Sequence, residues 1–326
     1  MTHSASEANP PIFVCPIELR PDALAVLYRR IPGDYRAQMV ADALLEVRSG
    51  RLDLSGLWVA RRRGRLVGAL LTHPLAGRAA AIWAPEVETI WGRAALAAGL
   101  LRAALADLRA RGFRVAQALV DASGPVTTGG DLIRGGLPEV TTLTFLERRI
   151  DRSDPSELSR RTPGPSFSWK PLGPDTEADF RSVLEATYRG SLDMPELEGV
   201  RSLDDVMASH RAAGRFDPTY WSVGHLVGEP EAAAVLLLSD VPNRQTWEIT
   251  YLGLTPAARG RDLGRSALNH AVEQARGARI PRIELAVDAR NTPARRLYER
   301  AGFRPFDRRI VHLAILNQAA PTPVFP

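Results

Sequence analysis

The sequence predicts an α/β fold with mixed sheets, built as two similar halves. The chain has 326 residues, 45% of them hydrophobic, which is enough for two domains. Strand-like apolar runs alternate with amphipathic runs, and the same order recurs on both sides of the polar segment Asp151–Ser166. Trp58 and Trp221 occupy matching predicted strands, and Leu132 and Leu297 occupy matching later positions. The near-constant separation within these pairs predicts a duplicated fold.

The predicted organisation has two domains joined by a linker. The first domain covers residues 12–150 and the second covers residues 167–316, with the polar, proline-rich linker 151–166 between them. Residues 1–11 are predicted to form a disordered N-terminus, and residues 317–326 a loosely held tail.

The first half contains five predicted strands and three predicted helices. The apolar run I-F-V-C-P-I predicts a strand, and D-A-L-A-V-L-Y-R-R-I and Ala37–Val47 predict two helices. Three further strands are predicted at G-L-W-V-A, at L-V-G-A-L-L-T-H and around Ala80–Trp83, because these runs are short, apolar and bounded by turn residues. The long run Ala94–Arg109 predicts a helix, and R-V-A-Q-A-L-V predicts the last strand.

The second half opens in the same way and then becomes more informative. F-S-W-K-P-L predicts a strand, E-A-D-F-R-S-V-L-E-A-T-Y a helix, and Y-W-S-V and A-A-A-V-L-L-L-S two strands. The run W-E-I-T-Y-L-G-L predicts a further strand, on which alternation places Tyr251 on the same face as Trp247 and Ile249. The strand I-E-L-A-V-D and a helix with Tyr298 follow.

Composition argues against several classes of protein. No run approaches the roughly 18 consecutive apolar residues of a membrane span, and the N-terminus lacks a basic region followed by an apolar core. The single cysteine, Cys15, cannot form an internal disulfide. These features predict a cytoplasmic protein without membrane association. The histidines have no metal-ligand spacing, so no metal site is predicted.

The net charge of +5 makes nucleic-acid binding one function class to consider. The basic excess lies in the first half, where Arg61–Arg65 contains four arginines between two strand-like runs. This cluster is most simply a solvated hairpin turn, so nucleic acid is not the expected partner.

A basic turn lies between the strand W-E-I-T-Y-L-G-L and an amphipathic helix. The turn reads T-P-A-A-R-G-R-D-L-G-R, and its glycines allow tight backbone conformations. At a helix N-terminus, free backbone N–H groups and the positive end of the helix dipole favour a phosphate or pyrophosphate. The helix is predicted to bury one apolar face, formed by Leu263, Ala267, Leu268, Ala271, Val272 and Ala275. The sequence therefore predicts a site for a phosphate-bearing cofactor.

The second half resembles the GNAT superfamily of acyl-CoA-dependent N-acyltransferases, whose loop reads Q/R-x-x-G-x-G/A between a strand and a helix. Arg259–Gly264 follows this pattern except at Asp262, where family members usually carry glycine. The resemblance covers most of residues 167–316, and the first half resembles a degenerate copy. The resulting tandem GNAT-like arrangement is similar to that of mycothiol synthase.

The resemblance implies acetyl-CoA as co-substrate and assigns its binding site. Backbone groups at the end of the strand would pair with the pantetheine arm. The basic turn would bind the pyrophosphate through N–H groups and three guanidinium groups, and an asparagine would fix the cofactor or simply cap the next helix. The residues implied are Leu252, Gly253, Leu254, Arg259, Gly260, Arg261, Asp262, Leu263, Gly264, Arg265 and Asn291.

Two residues match catalytic positions of the family. Glu248 matches the general base of members that acetylate protein lysines, and a solvated strand residue is the other interpretation. Tyr298 matches the tyrosine that protonates the departing CoA thiolate, and simple packing is the alternative. The first half has Ile133 in place of this tyrosine and no basic glycine turn, which predicts a structural or substrate-shaping role for that half.

The implied reaction is acyl transfer, most simply of acetyl, from CoA to a primary amine by direct attack in a ternary complex. The acceptor is expected to be a small-molecule or peptide amine. Asp193 and Glu196, in the acidic stretch Ser191–Asp205, are candidates for its binding, with a solvated acidic loop as the alternative. The competing hypothesis is a catalytically inactive protein that binds CoA or docks a partner. The sequence does not determine the oligomeric state.

Overall fold

The computed structural model describes residues 10–89, 91–150, 166–229 and 231–316. Of the predicted linker 151–166, only Ser166 is among them. The predicted tail 317–326 and residues 1–9 of the predicted disordered N-terminus also lie outside the described residues.

The first half consists of ten regular elements, with short 3₁₀ turns between some of them. Strands and helices alternate in an α/β pattern, and the predicted helix over Ala37–Val47 is longer than expected. In chain order the elements are β1 (Ile12–Val14), α1 (Arg20–Leu27), α2 (Gly33–Arg48), β2 (Leu57–Arg62), β3 (Arg65–Leu75), β4 (Ala79–Val87), α3 (Arg93–Ala110), β5 (Val115–Asp121), α4 (Val126–Gly135) and β6 (Glu139–Arg149).

The second half repeats the same order, which confirms the predicted duplication of an α/β fold. Its elements are β7 (Phe167–Pro171), α5 (Glu177–Tyr188), α6 (Leu203–Arg211), β8 (Trp221–Leu226), β9 (Ala232–Val241), β10 (Thr246–Leu254), α7 (Leu263–Gly277), β11 (Arg282–Asp288), α8 (Thr292–Arg300) and β12 (Arg304–Ile315). The sequence analysis did not predict α6. This helix begins where Ser202 accepts a hydrogen bond from the Asp205 N–H, in a stretch that had been interpreted as an acidic loop.

The chain forms two compact units whose bounds differ from the predicted domain ranges at the last strand of each half. The first unit contains the described residues up to Val140 and those from Ile310 onward, and the second contains those between Thr141 and Arg309. In the second unit β6 forms an antiparallel ladder with β11, from Arg282 opposite Arg149 to Asp288 opposite Leu143. Strand β6 is the last element of the first half in sequence, but it completes the sheet of the second unit.

The first unit has lost the charge pattern of a phosphate-binding turn. Its helix α3 follows Gly92, which has a left-handed backbone at φ 71°. The first helical residue, Arg93, donates two hydrogen bonds, of 2.6 and 2.7 Å, to the buried carboxylate of Asp131. The guanidinium at the start of α3 is thus paired with Asp131 of the same unit.

In the second unit the strand order is β6-β11-β10-β9-β8-β7. Strands β10 and β11 are parallel and pair only from Trp247 opposite Ile283 to Ile249 opposite Leu285. Beyond Ile249, β10 continues beside β9 alone, with a register shift between Ile249 and Tyr251. The two parallel strands therefore diverge toward their carboxyl ends.

The register shift corrects the predicted faces of β10. A bulge residue, Thr250, inverts the alternation, so that Tyr251 packs in the cluster that contains Phe180 and Leu184 of α5. Trp247, Ile249 and Leu252 instead pack with residues of α7. The prediction that Tyr251 shares a face with Trp247 was wrong because strict alternation ignores the extra residue.

Helix α7 buries the face that the sequence predicted. Its buried residues are Leu263, Ala267, Leu268, Ala271, Val272 and Ala275. Among the residues that the structure describes, no helix combines the length and hydropathy needed to cross a membrane.

Candidate active site

The divergence of β10 from β11 exposes the end of β10, which contains Leu252, Gly253 and Leu254. Gly253 is required there by close packing. A Cβ atom at this position would lie 2.6 Å from the Tyr251 ring and 2.7 Å from Cβ of Thr187, near the end of α5. Any side chain would push α5 away from β10, so Gly253 is more than a strand-end glycine.

The basic turn Arg259–Arg265 joins β10 to α7 and has two left-handed residues. Gly260 has φ +73°, and Asp262 has φ 58° and ψ 18° as the N-cap of α7, without a side-chain capping bond. The backbone N–H groups of Gly260, Arg261 and Asp262 make no hydrogen bond to another described residue. Together with the first-turn N–H groups of α7, they form a concentration of unbonded donors suited to an anion.

The left-handed backbone at position 262 explains both the family's glycine and its replacement by aspartate. Glycine adopts this conformation without strain, and Asp and Asn are the side chains that tolerate it best. Gly264, in the first turn of α7, is limited by packing, since its Cβ would lie 3.0 Å from Leu297 of α8.

The three arginines of the basic turn differ in what they contact. Arg261 pairs with Glu229 at 2.7 Å, and both side chains are exposed. Arg265 makes no ion pair with another described residue, so its guanidinium is available to a ligand. Arg259 donates to backbone carbonyls of Thr187, Arg189, Gly190 and Leu254. The guanidinium of Arg259 is therefore engaged by the protein's own backbone, and its assignment to the pyrophosphate stays a prediction.

Asn291 is the N-cap of α8. Its Oδ1 accepts a hydrogen bond from the Ala294 N–H at 3.3 Å, and the helix begins at Thr292. Capping of this helix is one of the two roles that the sequence left open for Asn291. Its side-chain Nδ2 makes no hydrogen bond to another described residue, so it can donate to a ligand.

Tyr298 lies in the last turn of α8 and is 8% exposed. Its ring packs against Phe303 with centroids 5.9 Å apart. Burial raises the pKa of the Tyr298 hydroxyl well above 10, and the negative charge of Asp193 raises it further. The raised pKa keeps this hydroxyl protonated at neutral pH. Because the hydroxyl makes no hydrogen bond to another described residue, its proton is available for donation to a ligand.

Glu248 lies in the paired part of β10, within a cluster of charges. Arg244 is 3.9 Å from Glu248 and 2.7 Å from the buried Glu284, which stands opposite Glu248 on β11. Burial raises the pKa of Glu248, Arg244 lowers it and Glu284 raises it. Glu248 is thus a half-buried carboxylate with a raised pKa and not a freely solvated strand residue.

The segment Ser191–Leu197, called the 191–197 segment below, is bound to the junction of β11 and α8. Asp193 Oδ1 accepts from the Asp288 N–H at 2.7 Å, and Asp288 Oδ2 accepts from the Met194 N–H at 3.2 Å. Both oxygens of Glu196 accept from Arg290, at 2.6 and 2.9 Å. Hydrogen bonds therefore attach Asp193 and Glu196 to the β11–α8 junction, and the two residues do not lie in a freely solvated loop. The 191–197 segment is called the wall of the site below.

The carboxyl groups of Asp193 and Asp288 differ in the direction in which their surroundings shift the pKa. Burial would raise the pKa of Asp288, but hydrogen bonds from Arg290, Thr141 and the backbone outweigh burial and lower it. For Asp193, burial dominates and raises the pKa despite the bond from the Asp288 N–H. The second oxygen of Asp193, Oδ2, has no hydrogen-bond partner among the described residues.

Sequence reasoning missed a group of aromatic and hydroxyl side chains beside this wall. Tyr188 stacks on Tyr251 with ring centroids 4.9 Å apart, and its hydroxyl lies 2.8 Å from Nε2 of His210. The Tyr251 hydroxyl lies 3.0 Å from Thr187 Oγ1. Sequence reasoning missed this group because the bulge on β10 is not visible in the sequence. Strict alternation without the bulge places Tyr251 on the face of Trp247 and not on the face that packs against α5. Within the described part of the chain, no three His, Cys, Asp or Glu side chains are grouped as metal ligands.

Comparison with known proteins identifies the class of this site. Residues 187–303 match the model of the acetyltransferase (GNAT) family. The match runs from the end of α5 to Phe303, directly before β12, and so contains the 191–197 segment, the basic turn and Tyr298. Residues 187–303 of the second half thus match the GNAT family.

The curated relatives are mycothiol acetyltransferases. The protein of that name from Beutenbergia cavernae is 35% identical over 130 residues, which are 40% of this chain and 43% of the relative. That from Jonesia denitrificans is 28% identical over 183 residues, 54% of this chain and 55% of the relative. The chain thus spans about half the length of the curated relatives it matches.

Solved structures share the fold over nearly the whole chain. A GCN5-related N-acetyltransferase from Sphaerobacter thermophilus aligns with a TM-score of 0.58 and 18% identity, covering 96% of both chains. A glucosamine N-acetyltransferase region of a fungal β-N-acetylglucosaminidase aligns with a TM-score of 0.60 and 16% identity, over 96% of this chain and 39% of the other. These alignments show the fold alone.

Replacement of Asp262 by glycine is expected to tighten CoA binding about fivefold. Removal of one negative charge beside a diphosphate at an exposed site changes the interaction by about 1 kcal/mol, and glycine adopts the left-handed backbone without strain. Isothermal titration calorimetry with CoA measures the effect.

Asp262→Asn is the matched control, because it removes the charge and keeps a side chain that tolerates the turn. It should reproduce most of the gain in affinity but not the gain in melting temperature expected from glycine. Weaker CoA binding by both variants would contradict a diphosphate next to residue 262.

Proposed function

We propose that the protein is an N-acetyltransferase that transfers acetyl from acetyl-CoA to the primary amine of a small molecule. The observation that carries this proposal is the divergence of β10 from β11 beside a turn of unbonded N–H groups. Because β10 and β11 are parallel, the basic turn and the Asn291–Tyr298 helix follow carboxyl ends at the same edge of the sheet.

The described residues fit acetyl-CoA at this edge. The N–H groups from Gly260 onward and the guanidinium of Arg265 would hold the diphosphate, and the exposed Arg261–Glu229 pair is weak enough to release Arg261 to it. The backbone of Leu252–Leu254 would pair with the pantetheine arm. Asn291 Nδ2 would donate to the cofactor while Oδ1 caps α8. When bound, acetyl-CoA supplies a thioester carbonyl that an amine can attack.

Glu248 and Tyr298 would move the two protons of the reaction. An amine is mostly protonated at neutral pH, so Glu248 would accept its proton, directly or through water. A backbone N–H near the end of β10 would donate to the carbonyl oxygen as negative charge develops there. Tyr298 would donate its proton to the thiolate, and its raised pKa keeps the hydroxyl protonated at neutral pH until the thiolate forms.

The 191–197 segment would form the wall that receives the amine. Glu196 is neutralised by Arg290, which leaves Asp193 Oδ2 as the carboxylate oxygen free to bind an ammonium group. The relatives named mycothiol acetyltransferase support a small-molecule amine over a peptide. The amine substrate of those relatives is therefore the first acceptor to test.

Tyr298→Phe is expected to lower kcat about 100-fold in an assay of CoA release, because loss of one proton donor costs roughly 10²–10⁴ in rate. The acceptor panel contains polyamines, aminoglycosides, amino acids, amino sugars, peptides and the amine substrate of mycothiol acetyltransferases. Binding of acetyl-CoA should be unchanged, since phenylalanine keeps the ring that packs on Phe303.

Tyr35→Phe, on an exposed side chain of the first unit, is the matched control and should leave kcat unaltered. Wild-type protein that binds CoA but acetylates no amine in the panel would contradict the proposal and favour an inactive CoA-binding protein. Absence of CoA binding would overturn both.

Arg244→Gln is expected to move the acidic limb of the kcat/KM–pH profile to higher pH. The base form of Glu248 is present above its pKa and lost below it. Burial already raises this pKa above 4.5, and Arg244 is the group that lowers it. Loss of Arg244 therefore raises the pKa of Glu248 further. As the pH is lowered, the variant should lose activity at a higher pH than the wild type does.

Arg111→Gln removes a surface ion pair with Asp107 in the first unit and should leave the limb in place. Glu248→Gln should remove most of the activity at every pH. An Arg244→Gln profile that does not move, or moves to lower pH, would exclude Glu248 as the base.

A further inference from the structure

The guanidinium of Arg259 is committed to backbone carbonyls. Nη2 donates to Thr187 O at 2.7 Å, and Nη1 donates to Arg189 O and Gly190 O at 2.8 and 2.9 Å. Nε donates to Leu254 O at 3.2 Å. These bonds use four of the five N–H donors of an arginine, so the side chain has little left for a phosphate.

The first three carbonyls lie at the carboxyl end of α5, where a helix leaves C=O groups without internal partners. The negative end of the helix dipole also lies there, so a guanidinium is favoured. Arg259 has no acidic partner among the described residues, and its charge is balanced by these carbonyls. The side chain thus joins the basic turn and the end of β10 to the end of α5.

The chain continues from these carbonyls directly into the 191–197 segment. The middle of that segment has the other attachment described above, through Asp193, Met194 and Glu196 to the β11–α8 junction. Its start is attached through the carbonyls that Arg259 binds, through a hydrogen bond of 3.1 Å from the Ser191 N–H to Tyr188 O, and through a weak contact of the Gly190 N–H with Glu198, at 3.3 Å. Arg259 is the one of these contacts that reaches the start of the segment from the basic turn, so the position of Asp193 depends on attachments at both sides of the diverging strands.

We propose that Arg259 is a positioning residue through which the basic turn sets the place of the 191–197 segment, and so determines affinity for the amine and not for the cofactor. This inference rests on the proposed function, since the segment is taken as the acceptor wall. Gly190 is consistent with it, because its φ of +60° lets the carbonyls turn toward Arg259.

Lysine cannot replace this arginine fully. An ammonium group presents its three N–H donors from a single atom, whereas the guanidinium fork reaches carbonyls on both α5 and β10. Arg265 provides the matched comparison, because it lies in the same turn, carries the same charge and makes no such contacts.

The test compares Arg259→Met, Arg259→Lys and Arg265→Met. Hydrogen exchange followed by mass spectrometry should show faster exchange of the amides at 189–198 in Arg259→Met, an intermediate rate in Arg259→Lys and no change in Arg265→Met. In the acetyl-transfer assay Arg259→Met should raise the KM for the amine about tenfold, with the Kd for CoA within twofold of wild type. Arg265→Met should weaken CoA binding and leave the amine KM unaltered.

Equal exchange in Arg259→Met and wild type, or a loss of CoA affinity as large as the rise in amine KM, would overturn the inference. If Arg259→Met does not fold, Arg259→Lys is compared with wild type by hydrogen exchange at 189–198 and by the KM for the amine. Wild-type values for both would then overturn the inference. If the wild type transfers acetyl to no amine, the proposed function fails, and hydrogen exchange still decides whether Arg259 positions the segment.

Discussion

The short parallel ladder between β10 and β11 is the constraint on which the second unit depends. It joins only three residues of each strand, after which β10 follows β9 and β11 follows β6. Divergence leaves backbone groups at the end of β10 outside this ladder and places two loops at one edge of the sheet. Each element of the candidate site, from Gly253 to Tyr298, is arranged around that opening.

Burial of charge gives the site its rigidity. Asp288 is fully buried and is stable there because Thr141, Arg290 and two backbone N–H groups donate to it. The same network fixes the 191–197 segment, so the polar groups that make the wall are also those that hold it. Asp193 differs from Glu196 and Asp288 because one of its carboxylate oxygens has no hydrogen-bond partner among the described residues.

Much of the fold and part of the site could be predicted from local sequence. The buried face of α7 followed from its 3.6-residue period, and the basic turn followed from glycines and charge before an amphipathic helix. The face of Tyr251, the helix α6 and the contacts of Arg259 with α5 were missed. The face of Tyr251 depends on a bulge, and the contacts of Arg259 depend on carbonyls that are distant in sequence. Helix α6 has a local cap at Ser202, but it lies in a short acidic stretch that was interpreted as a loop.

The sequence by itself determined the order of most elements, the duplication and the strand-turn-helix unit with Asp262 in place of glycine, because periodicity and turn chemistry act over a few residues. Only the tertiary structure decided which side chains meet. Asp193 and Asp288 are 95 residues apart, and Arg259 and Thr187 are 72 residues apart. No local pattern encodes such pairs, because a buried charge takes whichever donor or acceptor the packed backbone brings within reach.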